Sequence, residues 1–167
     1  MIRLIALASC LLFAAPALAD TTVYVVRHAE KVKKEGEKDP NLTAAGQDRA
    51  KALADALRSV PLAGIYTTKY KRNRQTVAPT EAQQKKKAVV YEAHDTDGLA
   101  KRITKEHRGA SVLVAGHSNT VPGMLKSLGV KTNLTLDEDD YDNLFVVRID
   151  DAGQSHLVHL HFGVMKK

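Results

Sequence analysis

Apolar residues in this chain come in two spacings, and the alternation between them predicts the fold. Short runs rich in β-branched residues, "TVYVV" (22–26), "AGIY" (63–66), "AVVYEA" (88–93) and "SVLVAG" (111–116), have the length and composition of buried strands. Between them the apolar positions spread out to helical spacing. In "LTAAGQDRAKALADALRSV" (42–60), Ala50, Leu53, Ala54 and Leu57 fall on one face, with Thr43 or Asn41 available as a cap. "RNRQTVAPTEAQQ" (72–84) reads as a helix interrupted or ended near Pro79; "TDGLAKRITKEHR" (96–108) reads as another. A short helix should start at Pro122, a residue suited to the first helical position. "NLFVVRI" and "SHLVHLHF" around "DDAGQ" predict a closing antiparallel hairpin. The expected fold is α/β, a three-layer sandwich with a mainly parallel sheet and helices on both faces. With no internal repeat or linker, residues 20–167 should form one domain.

The first nineteen residues fall outside this alternation. "MIRLIALASCLLFAAPALAD" carries one early cation, Arg3, then an apolar run from Leu4 to Ala15 and a small-x-small pattern at Ala17-Leu18-Ala19. This predicts an export signal over 1–19, a mature chain from near Asp20, and a periplasmic or secreted location. Leu7-Ala8-Ser9-Cys10 also resembles a lipoprotein cleavage box, although Cys10 comes very early. The apolar run is too short to cross a membrane and no later segment is apolar enough, so no membrane span is expected. Cys10 is the only cysteine, which leaves the predicted mature chain without disulfide, thiol nucleophile or thiolate metal site.

Composition, 44% hydrophobic and 26% charged, is that of a globular protein. The formal charge of +6 favours anionic partners, and loss of Arg3 with the signal barely changes it. Export argues against nucleic acid and leaves small phosphorylated molecules or envelope glycan phosphates. The basic runs "KVKKEGEK" (31–38) and "QQKKKA" (83–88) read as solvated loops and helix ends. His156, His159 and His161 invite a metal reading, since 159 and 161 share a strand face; with no carboxylate or cysteine placed to complete a shell, no metal is expected. "DEDDYD" (137–142) reads as a loop, lacking the glycine and spacing of a calcium site.

Ligands of open α/β sheets bind beyond the carboxyl ends of the strands. There the first strand ends in Arg27-His28, the second runs into "TTKYKRNR", the fourth into "GHSNT" (116–120), and Glu92, His94, Asp95 and Asp97 follow the third. This gathers two histidines, arginines and carboxylates without a Ser-His-Asp order or a metal-ligand cluster. Guanidinium forks match phosphate oxygens, and a neutral imidazole can attack phosphorus and carry the phosphoryl group covalently. Phosphoryl transfer fits this inventory best.

Arg27-His28-Ala29-Glu30, "LTAAGQ", "YTTKYKRNRQT" and "GHSNT", in that order from about Val23 to Thr120, resemble the histidine phosphatase superfamily, also called the phosphoglycerate mutase-like family. The resemblance implies that His28 is the nucleophile, that Arg27 and Arg72 hold phosphate oxygens, and that His117, protonated, is the second pocket histidine. Ser118 would add a donor near the next helix, and Arg74 reads as a surface cation. It also implies a carboxylate acid after the third strand: Asp95 is the expected one, with Glu92, at the strand end, and Asp97, a helix cap, as alternatives. No cofactor is implied. Ala29 stands where the family commonly has glycine and Lys34 where the mutases have an amide-bearing residue, and the chain has little room for the mutases' insertions, so hydrolysis is favoured. The resulting expectation is a phosphomonoester hydrolase working through phospho-His28 on an extracytoplasmic substrate. A protein phosphohistidine phosphatase and a non-catalytic anion-binding module are the alternatives.

Overall fold

The computed structural model describes residues 20–164, so the expected export signal lies outside the described residues. Its elements run β1 (Thr21–Arg27), α1 (Ala44–Ala56), β2 (Leu62–Thr67), α2 (Lys71–Gln84), β3 (Val89–Val90), α3 (Thr96–Glu106), β4 (Ser111–Gly116), α4 (Val121–Ser127), β5 (Asn143–Ile149) and β6 (Ser155–His161). One six-stranded sheet has the order β3-β2-β4-β1-β5-β6. The first four strands are parallel; β5 runs antiparallel to β1 and β6 to β5, as the hairpin pattern predicts.

The sheet separates two apolar layers. On one face Val23, Val25, Val112 and Val114 pack with Leu99 and Ile103 of α3 and Met124 and Leu125 of α4. On the other, Val26, Ile65, Leu113 and Ala115 pack with Leu53 and Leu57 of α1 and Val77 of α2. Because β1 and β4 are covered on both faces, they read as continuous apolar runs rather than as alternating ones.

Three local features set the site. Thr43 caps α1, its hydroxyl accepting the Gly46 amide at 3.1 Å. A Cβ at Gly46 would collide with the Glu30 carbonyl oxygen, so only glycine lets α1 approach the chain leaving β1 this closely. Pro79, expected to interrupt or end its helix, lies inside α2 instead. It removes one amide donor, but the buried Thr76, Val77 and Thr80 hold the helix against the sheet and α1, and tertiary packing outweighs the local penalty. The third strand is shorter than predicted: only Val89 and Val90 pair, with Tyr66 and Thr67, at an exposed edge. The chain from Tyr91 onward is thereby free to bend over the carboxyl end of the sheet.

Candidate active site

The register Arg27↔Gly116 between β1 and β4 sets the geometry, since His28 and His117 each follow one of these paired residues. The His28 amide continues the ladder to the Gly116 carbonyl at 2.9 Å, and its ring is buried at 3% exposure. Nδ1 lies 2.8 Å from the Ala29 carbonyl oxygen. A carbonyl only accepts, so Nδ1 carries the proton and the lone pair is on Nε2. Burial pushes His28 down to about 3, against the raising effect of the Ala29 bond, and Arg27, His117 and Arg72 add to the lowering. The imidazole is neutral at physiological pH, the form a nucleophile requires.

The loop that carries His28 is tied to α2. Thr76 Oγ1 accepts the Ala29 amide at 2.8 Å and donates to the Arg72 carbonyl at 2.7 Å. Asn73, fully buried, donates to the carbonyls of Ala115 and Gly116 at 3.1 and 2.9 Å. One helix therefore fixes the ends of both β1 and β4.

His117 meets His28 edge to face, with ring centroids 5.4 Å apart, and meets Tyr70 in the same way at 5.3 Å. Arg72 Nη2 reaches its Nδ1 at 3.5 Å, and Thr68 Oγ1 stands 3.1 Å from its Nε2. A guanidinium only donates, so Nδ1 accepts and Nε2–H points to Thr68. Burial, then Arg72 and Arg27, push His117 down to about 4. The expected protonated His117 is thus neutral in the free site, because it is enclosed and lies among guanidinium groups.

Arg27 and Arg72 converge on these rings. The Arg72 guanidinium lies over the Tyr70 ring at 4.5 Å, with Nη1 3.8 Å from the Asp39 carboxylate. Arg27 is 2% exposed. Both Nε donors are buried without a hydrogen-bond partner among the described residues. Unpaired buried donors are costly, and an oxyanion is the kind of acceptor that would satisfy them.

The carboxylates fall differently from the sequence reading. Asp95 is exposed and caps α3, accepting the Gly98 amide at 3.0 Å; it does not line the cleft. The cap role expected of Asp97 is therefore Asp95's, and Asp97 accepts instead from the Ser127 hydroxyl. Glu92 lines a cleft of about 360 Å³ together with Arg72, His117, Tyr70, Lys69 and His94. Ser118 is half-buried, three residues before α4, while the Thr120 hydroxyl accepts the His117 amide at 2.9 Å. Arg74 is exposed.

Thr68, Tyr70, Asn73, Thr76 and Tyr141 were not singled out by sequence reasoning, although the first four lie in or beside "TTKYKRNRQT"; the helical phase of that motif was their only signal. "DEDDYD" is more than a loop, for Arg27 Nη1 donates to the Asp137 carbonyl at 2.6 Å. A carboxylate does approach the last strand's histidines, with Asp142 3.5 Å from His161. Among the described residues no group of three or more His, Cys, Asp or Glu could hold a metal ion, and no helix is long and apolar enough to cross a membrane.

Residues 23–100 match the family model of the histidine phosphatase superfamily (branch 1). The protein histidine phosphatase SixA, solved with tungstate, superposes with a TM-score of 0.69 at 19% identity over 84% of this chain and 96% of that one. A mycobacterial glucosyl-3-phosphoglycerate phosphatase gives 0.72 at 9% identity over 86% and 100%. A phosphoglycerate mutase from Bacillus anthracis gives 0.65 at 14% over 86% and 94%. At these identities the likeness speaks to the fold. No curated protein matches the chain in sequence. Residues 23–100 thus match the histidine phosphatase superfamily model, and the chain shares the fold of solved histidine phosphatases.

Proposed function

We propose that the chain is a phosphomonoester hydrolase whose nucleophile is His28 and whose substrate is a small phosphorylated molecule or glycan phosphate outside the cytoplasm. The observation that carries the reading is the His28 ring: it is neutral, its Nδ1 proton is committed to Ala29, and it lies within the electrostatic reach of Arg27 and Arg72, whose buried Nε donors lack partners among the described residues. The extracytoplasmic part rests on the signal-like residues 1–19 alone.

In the first step His28 Nε2 attacks phosphorus, the N–P bond forms and the P–O bond to the leaving group breaks. Arg27 and Arg72 stabilise the phosphoryl oxygens as charge redistributes, the largest contribution expected in such chemistry. Glu92, the carboxyl group lining the cleft, supplies a proton to the leaving oxygen in place of the Asp95 first expected, which is engaged in capping α3. Water then attacks phospho-His28, Glu92 takes its proton, and phosphate leaves with His28 restored. His117, neutral in the free site, can accept a proton as the substrate dianion offsets the nearby cations.

A second reading keeps the pocket and takes a protein phosphohistidine as substrate. It is favoured by the single exposed carboxylate at the cleft, since a phosphoramidate has a better leaving group and needs no strong acid. Protein incubated with ³²P-labelled phosphoester and quenched in alkaline detergent, where the N–P bond survives, should carry label on His28. No label with any phosphoester, together with turnover of phosphohistidine peptide, would replace the first reading with the second.

A further inference from the structure

Read along the chain, the acidic stretch 137–142 has no role in the chemistry, yet it holds Arg27 through backbone, ion-pair and ring contacts. Arg27 Nη1 donates to the Asp137 carbonyl at 2.6 Å and reaches the Asp140 carbonyl at 3.4 Å. Nη2 stands 3.5 Å from the Glu138 carboxylate, and the guanidinium lies 4.3 Å above the Tyr141 ring. Tyr141 is 5% exposed, and its ring centroid is 6.0 Å from that of His28. The carbonyls thus occupy Nη1, while the side-on edge consists of Nε, which has no partner among the described residues, and Nη2, which faces the exposed Glu138 carboxylate; a phosphoryl group that displaces this carboxylate would accept from the two parallel donors.

We propose that Asp137–Tyr141 is a positioning segment for Arg27 and that Tyr141 is its main positioning residue. The inference rests on the phosphoryl-binding reading of the pocket. A free arginine side chain loses rotamer entropy when fixed; a flat ring under the guanidinium and a carbonyl on Nη1 meet that cost before substrate arrives. Topology makes the arrangement possible. Because β5 is antiparallel to β1, its first residues lie beside the last residues of β1, and the loop ahead of Asn143 is delivered across Arg27. Glu138 is 71% exposed, so its ion pair contributes little, and the carbonyl and the ring do the holding.

The test is binding of inorganic phosphate to the purified full chain by calorimetry, alongside KM and kcat on p-nitrophenyl phosphate. Tyr141→Leu should weaken phosphate binding and raise KM by about tenfold, with a smaller change in kcat, and Tyr141→Phe, which keeps the ring, should restore both. In an Arg27→Lys background Tyr141→Leu should add nothing. Tyr141→Met repeats the measurement if the leucine variant does not fold. Unchanged phosphate affinity in either folded variant, or a phenylalanine variant as impaired as the leucine one, would overturn the role of the ring. Wild-type protein that binds phosphate without turnover would count against the hydrolase reading and leave this proposal testable by calorimetry; folded wild type that binds no phosphate would sink both.

Discussion

His28 and His117 stand edge to face, 5.4 Å between ring centroids, because each follows one partner of the Arg27↔Gly116 pair on adjacent parallel strands. A change in the β1–β4 register would part the rings. The pairing is fixed by two continuous apolar strands covered on both faces, so the geometry of the two rings is inherited from the core.

Acid should destabilise the protein through these two rings. The folded values, about 3 for His28 and about 4 for His117, lie below the ordinary 6.5. Between pH 6.5 and those values the unfolded chain binds more protons, so stability is fully present above pH 6.5 and falls as pH drops through that window. The loss should be on the order of 1–2 kcal/mol per histidine by pH 5. Thermal melts from pH 7.5 to 4.5 check this: His117→Asn should flatten the dependence, and a slope equal to that of wild type would refute the assignment.

Glu92 and Asp95 should separate cleanly. Glu92→Gln should lower kcat on an alkyl phosphate by about 10²-fold or more and much less on p-nitrophenyl phosphate, whose leaving group needs little protonation. Asp95→Ala should leave kcat within about twofold and cost about 1 kcal/mol in stability through loss of the α3 cap. Denaturant unfolding and steady-state kinetics decide it, and an inactive but stable Asp95→Ala would reverse the assignment.

Thr76 links the loop that carries His28 to Arg72 through one hydroxyl. Thr76→Val should leave the Ala29 amide unpaired in a buried place, cost about 1–3 kcal/mol and reduce turnover. Thr76→Ser should preserve both bonds and recover the activity; a serine variant as poor as valine would show that the methyl, not the hydroxyl, matters.

Gly46→Ala should be one of the most damaging small substitutions outside the pocket, because the added methyl meets backbone rather than a movable side chain. We expect about 1–3 kcal/mol of destabilisation and weaker activity as the Glu30 segment shifts. Melting temperature and kcat on the same preparation would reveal a neutral outcome.

Much of the fold and half of the pocket were legible along the chain. The apolar runs located β1, β2 and β4, the helical spacing of Ala50, Leu53, Ala54 and Leu57 located α1, and the strand-end motifs gave Arg27, His28, Arg72 and His117, because periodicity and short motifs are local properties. What was misread depended on packing or on phase. Pro79 sits inside α2 because Thr76, Val77 and Thr80 are anchored by the tertiary structure. Asp95 caps α3 and Glu92 lines the cleft because β3 pairs through only two residues and the helix starts at Thr96. His117 is neutral because burial and two guanidinium groups, distant in sequence, surround it. Tyr141, 114 residues from Arg27, reaches it only because the closing hairpin returns antiparallel to the first strand. The sequence by itself determined which residues are the candidates for phosphate chemistry; the tertiary structure alone decided their protonation and orientation, and which carboxylate lines the cleft beside them, since those follow from burial and from neighbours that no local pattern records.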